Sequence, residues 1–226
     1  MSSRQTLSSS SQTAASRGGC LIRFMLPPIA AVCIGALLMV ISLSTTMDPV
    51  FAKNQKSEAS PAISPIFTPE VQYWASRIQV WATAAGLDPN LVATVMQIES
   101  CGDRGALSRS GAIGLFQVMP YHFSAGDDPY KPDTNARRGL DYLSRSMDAA
   151  KGNPRLALAG YNGGIGVIGM RESTWANETQ RYVYWGSGIY AEAAGSAYES
   201  PRLQEWLVSN GTYLCRLAHN RLGINP

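Results

Sequence analysis

The sequence predicts a mainly α-helical domain over residues 69–226, and three observations predict it. Four dipeptides, Thr68-Pro69, Asp88-Pro89, Asn153-Pro154 and Ser200-Pro201, pair a good N-cap side chain with proline at the first helical position. There the missing N–H removes no hydrogen bond. Each dipeptide is followed by apolar residues at helical period. No regular alternation of strands with helices and no internal repeat runs through this part of the chain.

Taken in order, the spacing predicts a first helix from Pro69 towards Gly86 and a second from Pro89 to Ser100. A third begins near Asn135 and ends before Gly152. Others follow from Pro154 and from about Glu178, with one or two more between Pro201 and Arg221. Residues 103–133 have no helical pattern; they are rich in Gly, Ser and Pro and suit loops and a small hairpin.

The N-terminal third reads differently. Residues 1–23 are Ser-rich and poor in large apolar residues, a composition expected to stay disordered. Phe24 to Leu43 then runs 20 residues without a charge, long enough to span a bilayer as a helix. Arg4, Arg17 and Arg23 precede it, so the expectation is a cytoplasmic N-terminus and an extracytoplasmic domain tethered to the cell membrane by one uncleaved segment. Cleavage as a signal peptide, after the small residues around Val50-Phe51-Ala52, is the alternative. Residues 44–68, with Ser57, Ser60, Pro61, Ser64 and Pro65, read as a linker.

Composition narrows the function classes. Hydrophobic residues make up 45% and charged residues 15%, so a packed core is expected. The net charge of +3 lies wholly before Pro69, where five bases face two acids; beyond it, fourteen of each balance. A neutral folded domain argues against nucleic acid as a partner. His122 and His219 lack Cys or acidic companions at ligand spacing, so no metal is expected. Gly164-Ile165-Gly166-Val167-Ile168-Gly169 fits a dinucleotide-binding pattern, but the residues before it read as helix rather than strand, so no cofactor is expected.

One carboxylate stands out. On a helical wheel of residues 89–100, Leu91, Val92, Val95, Met96 and Ile98 form one arc, and Asn90, Thr94 and Gln97 lie opposite. Glu99 falls inside the apolar arc, between Val92 and Val95. It also sits where Cys101-Gly102 should stop the helix, at the negative end of the helix dipole. Burial and dipole both disfavour its charged form and raise its pKa. A carboxyl that keeps its proton near neutral pH suits protonation of a glycosidic leaving oxygen. The alternative is a glutamate at a frayed helix end, reaching into water.

Glu99 opens the stretch ESCGDRGALSRSGAIGLFQVMP, ending at Pro120. It resembles the first motif of the lysozyme-like lytic transglycosylases, a family related to goose-type lysozyme. Three further segments follow in that family's order: Asn135 to Leu143 resembles its N…G..YL helix, Ala157 to Gly164 its ALAAYNAG segment, and Glu178 to Val183 its ETR.YV segment. The resemblance implies a lysozyme-like fold that acts as a monomer on peptidoglycan glycan strands. It implies Glu99 as general acid and then base, with Tyr161 hydrogen-bonded to it. Ser108, Gln117, Met119 and Asn162 would line the glycan cleft, with Glu178 nearby. Arg104, Gly160, Gly163, Ile165 and Gln180 depart from the family pattern without removing a group the reaction needs.

The sequence offers no convincing second carboxylate opposite Glu99. A transglycosylase needs none, because the muramyl 6-hydroxyl attacks within its own sugar and closes a 1,6-anhydro ring. Two alternatives remain open at this point: a goose-type lysozyme that uses water, and a wall-binding or assembly module without activity. The aromatics at Trp175, Tyr182, Tyr184, Trp185 and Tyr190 read chiefly as core. Cys101 and Cys215 are the only cysteines of the folded domain, and a disulfide between them is expected.

Overall fold

A computed structural model describes residues 62–195 and 197–224. The helices are α1 (Pro69–Gln72), α2 (Ala75–Ala85), α3 (Pro89–Ser100), α4 (Pro132–Ala149), α5 (Pro154–Gly163), α6 (Asn177–Ala194), α7 (Pro201–Trp206) and α8 (Thr212–Leu222). Three of the four expected caps form. Asp88 accepts from the N–H of Asn90 and Leu91, Asn153 from Leu156, and Ser200 from Leu203. Thr68 makes no side-chain cap; its hydroxyl donates instead to Gln97 Oε1 at 3.2 Å.

The single helix expected from Pro69 to Gly86 is broken at Tyr73-Trp74. Trp74 is 4% exposed, stacks on Trp81, and donates its indole N–H to the Gly102 carbonyl at 2.9 Å. Seating that ring in the core redirects the chain between α1 and α2. The third expected helix starts at Pro132, three residues earlier than Asn135. The irregular stretch contains two antiparallel bridges, Leu107 with Ile113 and Ile113 with Val118, the small hairpin-like element that its turn residues suggest. Part of the expected linker is core. Ile63, Ile66 and Phe67 are buried, and Ser64 N–H donates to Asn90 Oδ1 at 2.7 Å.

The membrane expectation is corrected. Among the described residues no helix is long and apolar enough to cross a membrane. The two longest, α4 and α6, have 18 residues each and are amphipathic: α4 carries Asp133, Arg137, Arg138, Asp141, Arg145 and Asp148. The span expected over residues 24–43 lies outside the described residues. Over the described residues the fold is a mainly α-helical domain, and none of its helices supplies a membrane anchor.

Helix α3 sits at the centre. It packs on α1, α2, α6 and α8, and α5 packs between α4 and α6. Leu91, Val92, Ala93, Val95 and Met96 are essentially inaccessible, but so are Thr94 and Gln97 from the polar side of the wheel. Their polarity is absorbed locally. The Thr94 hydroxyl donates to the Asn90 carbonyl at 2.7 Å, and the Gln97 carboxamide accepts from Thr68 N–H at 3.2 Å.

Cys101 follows α3 with φ 51°, in the left-handed region where non-glycine residues are uncommon. It is bonded to Cys215 of α8, with Cα atoms 4.9 Å apart, so the expected disulfide forms. Around it, His219 Nδ1 lies 3.1 Å from Glu70, and Arg221 donates to Asp103 at 2.9 Å. The C-terminal helix is thus tied to α1 and to both residues flanking Gly102, at the end of the helix that carries Glu99.

Candidate active site

A cleft of about 630 Å³ opens beside the C-terminal end of α3. All seven residues singled out for chemistry or substrate contact line it: Glu99, Ser108, Gln117, Met119, Tyr161, Asn162 and Glu178. Glu99 is the penultimate residue of α3 and half-buried. Among the described residues it makes no hydrogen bond or ion pair. Burial is the main reason its pKa is raised from 4.5 to about 8. The Tyr182 hydroxyl opposes the rise, and the like charge of Glu178 adds to it.

The loop 113–118, which contributes Gln117 and Val118 to the cleft, is fixed at three points. The Ser100 hydroxyl, next to Glu99, donates to the Leu115 carbonyl at 2.7 Å. Asn135 accepts from Phe116 N–H at 2.9 Å and donates to the Ile113 carbonyl at 2.8 Å. The Asn135 amide lies so close to Gly114, which has φ 77°, that a Cβ there would approach it to 2.4 Å. Only glycine meets both demands. Gln117, at φ 44°, is held by its own carboxamide donating to the Gly114 carbonyl at 3.1 Å. Ser108 accepts from Ala112 N–H at 2.9 Å, which closes the turn before this loop.

Tyr161 supplies the third restraint, and here the structure departs from expectation. Its hydroxyl donates to the Phe116 carbonyl at 2.6 Å rather than to Glu99. It lies within electrostatic reach of Glu99, and burial, with the Glu99 carboxylate second, holds its pKa well above the usual value. A second tyrosine near Glu99 is Tyr182 on α6, whose hydroxyl favours the carboxylate. Its hydroxyl is buried with no hydrogen-bond partner among the described residues. It therefore makes no formed bond to Glu99, yet it sits close enough to favour the carboxylate. Tyr182 read as a core aromatic from sequence; its place in the segment Glu178 to Val183 was the available signal.

Asn162 and Glu178 come from adjoining helix ends. The Thr179 hydroxyl donates to Asn162 Oδ1 at 2.8 Å, joining the end of α5 to the start of α6. Glu178 is thereby placed as a second carboxylate facing the cleft, which sequence spacing did not reveal. Tyr121, His122 and Tyr142 also line the cleft and were not singled out. The glycine-rich stretch follows helix α5 and forms a 3-10 turn, Ile165–Gly169, without the strand a dinucleotide site needs. Among the described residues one group has the proximity of metal ligands, Glu70 with Cys101 and Cys215, and both sulfurs are committed to the disulfide.

The profile of the transglycosylase SLT domain matches residues 76–183. The chain is similar to a transglycosylase of Enterobacteria phage PRD1, 34% identical over 114 residues, covering 50% of this chain and 40% of that protein. It is also similar to endo-type membrane-bound lytic murein transglycosylase A of Klebsiella pneumoniae subsp. pneumoniae, 31% identical over 101 residues, covering 36% of this chain and 49% of that protein. A solved structure, the lytic transglycosylase Slt of Pseudomonas aeruginosa, aligns at 26% identity with a TM-score of 0.45, over 54% of this chain and 24% of that one, a likeness too loose to carry an argument. The chain spans less than half the length of both curated relatives. The matched region begins in α2 and ends inside α6, and it includes all seven cleft residues. The chain carries a transglycosylase SLT domain over residues 76–183.

Proposed function

We propose that this chain is an enzyme that cleaves the β-1,4 bond between N-acetylmuramic acid and N-acetylglucosamine in peptidoglycan, leaving 1,6-anhydromuramyl ends. The observation that carries this function is Glu99: a desolvated carboxyl with a pKa of about 8, without a fixed partner among the described residues, in an open cleft of about 630 Å³. At neutral pH it holds a proton. It donates that proton to the glycosidic oxygen as the bond to the anomeric carbon breaks. The resulting carboxylate takes the proton of the muramyl 6-hydroxyl, whose oxygen closes on the same anomeric carbon. No water is consumed, and Glu99 ends protonated, ready for another cycle. Tyr182 and Tyr161, kept protonated by burial, stand beside the charge that Glu99 acquires between the two transfers.

Ser108, Gln117, Met119, Asn162 and Glu178 are assigned to substrate contact. Glu178 also supports a second reaction, hydrolysis, in which it would activate a water molecule against the anomeric carbon. Mass spectrometry of digested glycan strands separates the outcomes. Anhydromuramyl ends are expected, each lighter by one water than a reducing end. Reducing ends alone would establish the hydrolase, and intact strands would establish a binding module.

A further inference from the structure

Tyr121 is 75% exposed, yet it lines the same cleft as Glu99. It projects from the 3-10 turn Pro120–His122, which is closed by His122 N–H donating to the Met119 carbonyl at 3.0 Å. Its ring does not lie alone. The Tyr121 and His122 centroids are 4.5 Å apart, those of His122 and Tyr142 are 4.7 Å apart, and those of Tyr142 and Tyr161 are 5.8 Å apart. Four rings therefore form a chain of neighbours, from Tyr161, within electrostatic reach of Glu99, to the exposed Tyr121.

The character of this line suits an uncharged ring. Burial, followed by the nearby Arg145 cation, lowers the pKa of His122, so its imidazole is neutral at neutral pH. The Arg145 guanidinium lies 5.3 Å from the Tyr142 centroid and is paired with Asp141 at 3.3 Å. A cationic ligand would meet this existing positive charge. A pyranose would not: its axial C–H face stacks on an aromatic face, while its hydroxyl and acetamido groups reach the polar tips of Tyr121 and Tyr142. Core packing does not account for Tyr121, because an aromatic so exposed excludes little water from the interior.

We propose that Tyr121, His122 and Tyr142 form a glycan-stacking subsite along one wall of the cleft, which holds sugar units beyond those at the cleavage point and makes the protein favour longer strands. This rests on the proposed cleavage of glycan strands, with Tyr121 as the residue that sets strand-length preference at the rim.

The test uses the Glu99→Gln protein, which retains the cleft without turnover, and oligomers of N-acetylglucosamine as probes. Calorimetry with the hexamer and the trimer is run with and without an added Tyr121→Ala change, with circular dichroism to check folding. Tyr121→Ala should weaken hexamer binding about five- to tenfold, the range of one aromatic contact, and leave trimer binding nearly unchanged. Tyr121→Phe should retain hexamer affinity. In the otherwise unaltered enzyme, Tyr121→Ala should raise KM for long strands while kcat holds, a split that a loss of folding would not produce. Equal hexamer affinity with and without the Tyr121 ring overturns the subsite and leaves the proposed cleavage standing. Failure of the Glu99→Gln protein to bind either oligomer, together with no cleavage by the unaltered protein, overturns both.

Discussion

Glu99 and Asp103 lie four residues apart, one on each side of the Cys101 turn, and their surroundings differ in kind. Asp103 is 4% exposed and paired: its carboxylate accepts from Gly105 N–H at 2.9 Å and from the Arg221 guanidinium at 2.9 Å. Glu99 faces the cleft without a fixed partner, and burial pushes it to about 8. The same contrast holds more widely. On the α8 side of α3, Gln97 donates to Cys101 Sγ at 3.1 Å, and Glu70 meets His219. On the cleft side, the Tyr182 hydroxyl is buried and has no partner among the described residues. The C-terminal side spends its polar groups on one another, and so holds α3 in place. The cleft side ties Tyr161, Gln117 and Asn162 into its walls but leaves Glu99 and the Tyr182 hydroxyl without partners among the described residues.

The sharpest way to break this contrast is to remove the uncommitted proton. Glu99→Gln keeps the volume of the side chain but cannot deliver a proton, so cleavage should fall by roughly a hundred- to ten-thousandfold with the fold intact. Release of soluble fragments from purified peptidoglycan reads the loss. Retention of a tenth of the original rate would remove Glu99 from the mechanism.

The next largest effect should come from the braced side, and it should appear in stability rather than chemistry. The disulfide closes a loop across a sequence separation of 114. The chain-entropy treatment gives about 5 kcal/mol for a loop of that order. Replacing Cys101 and Cys215 together by Ser should lower the unfolding free energy by about that amount in urea titration. The cleavage rate well below the transition should change far less. An unchanged midpoint would show that α8 is not a brace. A smaller loss, about 1–3 kcal/mol, is expected of Arg221→Ala, because it strands a buried carboxylate at Asp103. A variant with both Arg221→Ala and Asp103→Asn should recover part of that loss.

Tyr161→Phe probes the boundary between the two regions and should have the smallest effect. It deletes the bond to the Phe116 carbonyl and frees one of three restraints on the loop 113–118. About 1 kcal/mol of stability should be lost. The rate should fall by much less than in Glu99→Gln, since the proton carrier remains. A loss as large as that of Glu99→Gln would make Tyr161 a direct participant instead.

Much of the fold was legible in the sequence because helix starts are local chemistry. Asp88, Asn153 and Ser200 cap where N-cap preference places them, each ahead of a proline. The disulfide was legible because Cys101 and Cys215 had no competitors in the domain. What failed was long-range. The break at Tyr73-Trp74 depends on where the Trp74 indole finds the Gly102 carbonyl. Burial of Ile63, Ile66 and Phe67 depends on a core that lies elsewhere in the chain. The helical wheel found Glu99 for a partial reason, because Thr94 and Gln97 are buried as well; Glu99 differs in facing a cleft, which no single helix can reveal. Four ordered segments named residues that the fold brings to one cleft, but not their hydrogen bonds. Tyr161 binds Phe116, Tyr182 lies near Glu99 without a formed bond, and Glu178 faces the same space.

The central claim is that Glu99 holds its proton at neutral pH. The direct measurement is a pH titration of the side-chain carboxyl carbons by NMR, in protein labelled with ¹³C at glutamate, with Glu99→Gln assigning the resonance. Glu99 should titrate near 8, well above the ordinary 4.5. The linked stability change has a definite sign. The folded state binds the proton more tightly than the unfolded chain, so the unaltered protein should lose stability relative to Glu99→Gln as pH rises from about 4.5 through about 8. A Glu99 resonance that titrates near 4.5, with the two stabilities parallel across that range, would contradict the account.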